Sequence, residues 1–153
     1  MAAANTGSGV THFSNVAVGV SGGDSTLTLN GVQIANGATS VTADTTRTAA
    51  NSGKMYVDKK GSATTTFTLP AAAAGLRYTF VCGNASGEIL VTPQTGDAIV
   101  TKADPTGASI APAAGTGIKN TAATNIVGDH LTLVALDATT WYTVAQGGTW
   151  ASQ

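Results

Sequence analysis

Charge is the first thing this sequence lacks. Seven Lys and Arg and eight Asp and Glu among 153 residues leave 10% charged positions and a formal net charge of −1, against roughly 25% charged in an average globular chain. So few cations cannot build a polybasic surface, and nucleic acid is not an expected partner. Cysteine is nearly missing as well: Cys82 stands alone, which excludes an intrachain disulfide. Large apolar side chains are scarce, with Leu, Ile, Val and Phe at 8, 6, 13 and 3. No run approaches the roughly 18 apolar residues of a membrane span. Met1 to Val10 (MAAANTGSGV) has no basic residue and no apolar stretch, so no signal peptide is expected.

Small residues fill the space. Ala, Thr and Gly number 27, 26 and 19, nearly half the chain. A near-zero net charge separates this composition from disordered chains of equally low hydrophobicity. The expected core is thin, and little charge repulsion keeps copies apart. A homo-oligomer is therefore expected, with partner surfaces completing the stability.

The periodicity is that of strands. Val16, Val18 and Val20 alternate with smaller residues. Thr26-Leu27-Thr28-Leu29, Asn30-Gly31 and Val32-Gln33-Ile34 predict a hairpin pairing Leu29 with Val32 and Leu27 with Ile34, because Asn-Gly suits a two-residue turn needing positive φ. A second Asn-Gly at 36–37 extends this to a short meander over 21–41, ahead of a main β module over 42–153. Thr42 to Ser52 reads as a link. Strands are expected at Met55–Val57, Thr64–Leu69, Arg77–Cys82, Glu88–Thr92 and Asp97–Thr101, with one helical turn conceivable at Ala71–Ala74. Lys102 to Asn120 reads as a long loop with at most a brief strand near Ile110. His130–Leu136 and Thr140–Ala145 form a closing hairpin. Nothing sustains a 3.6-residue apolar period. The expected fold is all-β, an antiparallel β-sandwich or barrel of jelly-roll type, with residues 1–20 as an extended arm ahead of a β domain over 21–153.

Residues that could carry chemistry are few. His12 and His130 are the only bases suited to a hydrolytic triad. His12 adjoins the arm, and Asp129 and His130, as strand neighbours, point to opposite faces. Cys82 reads as a small buried hydrophobe, with Arg77 on the other face of its strand. Asp97, Asp104, Asp129 and Asp137 follow no calcium-loop pattern and read as turn residues. One Cys and two His make zinc a poor fit. No enzyme activity, metal or cofactor is expected. Among the aromatics, Tyr56 and Tyr78 alternate with core positions and Trp141 caps the core. Trp150, after Gly147-Gly148, is the aromatic expected to meet a partner.

Several short stretches carry a resemblance: Ala49-Ala50-Asn51-Ser52-Gly53-Lys54-Met55-Tyr56-Val57, Phe67-Thr68-Leu69-Pro70, and Ala74-Gly75-Leu76-Arg77-Tyr78-Thr79-Phe80. Gly96-Asp97, Gly128-Asp129, Leu131-Thr132-Leu133, Trp141-Tyr142 and Gly148-Thr149-Trp150 complete it. From about Thr42 to Trp150 the chain resembles a β-rich module of bacteriophage virion proteins, which include head decoration (cement) proteins and tail-fibre segments. The resemblance implies a structural part of the virion, binding the major capsid protein on the outside of a head, commonly as a trimer. The alternative is a tail or fibre module recognising a host-surface glycan through Trp150 or Tyr142. In the decoration reading the arm is the anchor. Val10, His12, Phe13, Val16 and Val18 are its expected contacts, and Phe13, Val16, Val18 and Val20 keep a strand period suited to pairing with an exposed edge of a capsid subunit.

Overall fold

The computed structural model describes residues 38–100 and 114–153, together with the backbones of residues 26–29 and 32–35. The anchor residues Val10, His12, Phe13, Val16 and Val18, and the expected strand near Ile110, lie outside the described residues. Strands β1 (Thr26–Leu29) and β2 (Val32–Ala35) pair antiparallel with Leu29 opposite Val32 and Leu27 opposite Ile34. That is the register the Asn-Gly step predicts.

Eleven further strands follow in chain order: β3 (Ala38–Val41), β4 (Thr45–Thr46), β5 (Met55–Asp58), β6 (Thr65–Thr68), β7 (Arg77–Cys82), β8 (Ile89–Thr92), β9 (Ala98–Val100), β10 (Ile118–Asn120), β11 (His130–Ala135), β12 (Thr140–Gly147) and β13 (Trp150–Ser152). They form two sheets, one of six strands in the order β3-β5-β7-β11-β12-β9 and one of five in the order β13-β10-β8-β6-β4. The described residues contain one 3-10 turn, Ala49–Asn51, and no α-helix. Ala71–Ala74 stays non-helical. The chain is an all-β sandwich.

Strand direction differs from the expected antiparallel, jelly-roll arrangement. From β3 to β8 the chain alternates between the sheets, so β3, β5 and β7 run parallel in one and β4, β6 and β8 run parallel in the other. The result is a flattened coil. β10 and β11 then add antiparallel to β8 and β7, and β12 returns beside β11 as the expected hairpin. β9 lies parallel to β12 at the sheet edge. The 21–41 meander also resolves differently: β3 pairs with β5 in the six-stranded sheet, so the β module begins at Ala38 and not at 42.

The two inner faces meet on aromatic rings. In β7, Tyr78, Phe80 and Cys82 point inward while Arg77, Thr79 and Val81 point outward, the period-2 consequence of pleating. Phe80 reaches Phe67 of the facing sheet with ring centroids 4.8 Å apart, and Tyr56 lies 6.2 Å from Phe67. Such pairs add about 0.5–1.5 kcal/mol each beyond the area they bury. Trp141 touches Tyr78 at 5.7 Å, and both are fully buried. The segment read as a link holds β4 and the buried Arg47, whose guanidinium carbon sits 4.2 Å above the Tyr56 ring. Stacking on a π face stabilises a cation withdrawn from water.

Tyr78 gives this core a pH limit. Its hydroxyl donates to the Thr48 carbonyl at 2.8 Å, and burial pushes its pKa up to about 12 from 10. The unfolded chain therefore releases this proton first. Stability from the neutral phenol is complete below pH 10 and is lost as pH rises from 10 to about 12. In Tyr78→Phe the unfolding free energy from urea titration is expected to lose this fall between pH 10 and about 12, while dropping by about 1 kcal/mol at neutral pH for the missing hydrogen bond.

Candidate functional site

The outer face of the six-stranded sheet holds an open groove of about 490 Å³. Strand register explains its floor. Ala38, Met55, Thr79, Thr132 and Ala145 stand side by side across β3, β5, β7, β11 and β12. Val57, Val81, His130 and Gly147 make the next row. Thr79 and Thr132 satisfy one another, hydroxyl to hydroxyl, at 2.9 Å. Arg77 lines the groove towards one end, and His130 and Gly128 line it towards the other. The His130 Nδ1 lies 3.1 Å from the Gly128 carbonyl.

A rigid loop forms that second end. Asp129, only 4% exposed, accepts from Asn120 Nδ2 at 3.0 Å and from the Ile126 amide at 3.1 Å through the same oxygen. The Asn120 amide also donates to the Thr149 carbonyl at 3.0 Å, and Asn125 Nδ2 donates to the Gly87 carbonyl. Gly148 (φ +84°) lies against the Asp129 carboxylate, and a Cβ there would collide with it. A Cβ on Gly147 would come within 2.7 Å of the His130 ring. The Gly-Gly step is thus a packing requirement. Pinned in this way, the loop holds Ile126 and Val127 in solvent at 65% and 64% exposure.

The other residues singled out by sequence fall as follows. Cys82 is fully buried, its thiol 3.3 Å from the Asn84 carbonyl, and burial pushes its pKa up. That protonated thiol is a packing element. Asp97 accepts from the Ala72 amide at 2.8 Å. Asp58, which sequence reading passed over, is fully buried and accepts from the Thr65 hydroxyl at 2.6 Å and the Lys60 amide at 3.0 Å. With Asp129, these carboxylates tie connections between strands. Asp104 lies outside the described residues. Among the described residues no three His, Cys, Asp or Glu side chains gather to hold a metal.

Trp150 corrects the expectation placed on it. It is 1% exposed and belongs to the core, with Nε1 donating to the Gly147 carbonyl at 2.9 Å. β13 inserts beside β10, so the indole faces the opposite sheet and is closed to any partner. Tyr142, on the outer side of β12, remains half-buried.

The sequence matches no family model, and no curated protein is significantly similar to it.

Proposed function

We propose that this chain is a virion structural protein, a decoration (cement) protein that binds the major capsid protein on the outside of a phage head as a homo-oligomer, a trimer in the form the resemblance implies. The observation that carries this reading is an open groove on an outer sheet face that has exposed Met55 in its lining, with Ile126 and Val127 exposed just before its lining residue Gly128. Exposed apolar side chains at such a groove mark a contact surface for protein.

Two further features support it. The inward residues of the resembling stretches, including Tyr56, Phe67, Tyr78, Phe80, Leu131, Leu133, Trp141 and Trp150, are all buried, so the likeness is one of scaffold. β3, the first strand of the six-stranded sheet in the chain, is an edge strand, a suitable departure point for an anchoring segment. In this reading residues 1–20 attach to the shell, with Val10, His12, Phe13, Val16 and Val18 as contacts, and the assembled β units multiply weak contacts into avidity. Burial of Trp150 takes away the main aromatic on which the glycan-binding alternative stood.

Immunogold labelling of particles tests the assignment. Dense label over heads is expected, and label confined to tails would overturn it. Deleting residues 1–12 is expected to leave the β-sheet circular-dichroism spectrum intact while weakening attachment to heads. Full-affinity attachment of the truncated chain would place the anchor elsewhere.

A further inference from the structure

Five large aliphatic side chains are exposed among the described residues: Met55 at 41%, Ile126 at 65%, Val127 at 64%, Leu136 at 63% and Val144 at 54%. One of them, Met55, lines the groove, and three more are close in sequence to lining residues. Ile126 and Val127 lead into Gly128, and Val144 precedes Ala145 where the β11–β12 ladder is bulged. The fifth, Leu136, stands on the turn joining β11 to β12, where residues 136–139 are all exposed.

Charge follows the same division. The groove carries Arg77 and His130 and no carboxylate. The turn carries Asp137 beside Leu136. Within the described residues neither Arg77 nor Asp137 forms an ion pair. Asp137 is shaped as well as charged. Its Oδ1 accepts from the Thr139 and Thr140 amides at 2.8 and 2.7 Å, fixing the turn and leaving Oδ2 without either donor. These donors hold its carboxyl below the usual carboxylate range, so it is ionised at neutral pH.

We propose that the groove receives the β11–β12 turn of a second copy of this chain, with Leu136 seated against Met55 and Val81 and Asp137 facing Arg77. Turn and groove are separate features of one molecule. Two copies that exchange turns reciprocally form a two-fold dimer, and copies that pass them in one direction form a ring or a filament. The inference rests on reading the groove as a protein contact, and it names the partner.

The test uses the full-length chain and two single variants, Arg77→Glu and Asp137→Arg, both at exposed positions. By sedimentation, the wild type is expected to self-associate, and each variant alone to associate at least about tenfold more weakly, since like charges meet in the contact. An equimolar mixture of the two is expected to recover association, because the native turn of one variant meets the native groove of the other. Leu136→Ser is expected to weaken association without touching charge, and unchanged circular dichroism shows that each variant folds. A wild type that stays monomeric up to about 1 mM, the weak end of measurable affinity, would overturn the proposal. So would association untouched by Arg77→Glu, or a mixture that stays apart. Association of this pattern by a chain that does not label heads would instead overturn the decoration reading and leave this contact standing.

Discussion

Trp150→Ala is expected to cost about 3–5 kcal/mol of folding stability, the usual range for removing a buried indole or phenyl ring from a core. The side chain is 1% exposed and lies three residues from the chain's end, where a truncation is often harmless. Here it is not expected to be. The indole completes the inner face of the five-stranded sheet, and its N–H satisfies the Gly147 carbonyl. The urea midpoint should drop steeply. A partner-facing tryptophan would leave it unchanged, so one denaturation curve decides between the two positions.

The second large effect is expected at Asp129. Alanine there leaves the buried Asn120 Nδ2, which keeps only its bond to the Thr149 carbonyl, and the part-buried Ile126 amide without their shared acceptor. An orphaned buried donor costs about 1–3 kcal/mol, and a loss of about 2 kcal/mol is expected in urea unfolding, most of it from Asn120. Asp129→Asn keeps an acceptor oxygen and should recover about half of it. A local readout separates this role from general destabilisation: amide exchange at Ile126 should accelerate in Asp129→Ala well before global unfolding. No change at that amide would show that the loop is held by other contacts.

Much of the architecture was legible in the sequence, for identifiable reasons. Asn30-Gly31 predicts the β1–β2 register because a two-residue loop permits little else. His130–Leu136 and Thr140–Ala145 are strongly alternating and close in sequence, so their pairing is local. Strand direction was not legible. A strand with one face on the core and one towards solvent alternates in the same way whether its neighbour runs parallel or antiparallel, and Tyr56, Phe80 and Leu131 share one row of the sheet although β5 and β11 run in opposite directions. β4 and β10 were missed because two or three residues with Thr, Lys and Asn carry no periodicity. Trp150 was misplaced because Gly147-Gly148 reads as a flexible joint, when those glycines exist to let Asp129 and His130 approach the backbone. Of the site, Arg77 and His130 were visible as residues. Their common groove was not, since it depends on which strands the coil sets side by side.

The coil also sets a timetable for synthesis. On a ribosome, β5 can find β3, and β7 can find β5, soon after each emerges, because every turn docks on the one just made. β7 and β8 must then wait with bare edges until β11 and β10 arrive, and the five-stranded sheet is finished only by β13 at the last residues. Long-range pairings of this kind slow folding and prolong the exposure of unpaired strands. A half-made chain is therefore a template for its neighbours on the same message. The scarcity of large hydrophobes in a sequence so rich in Thr, Ala and Gly lowers the adhesion of those waiting edges.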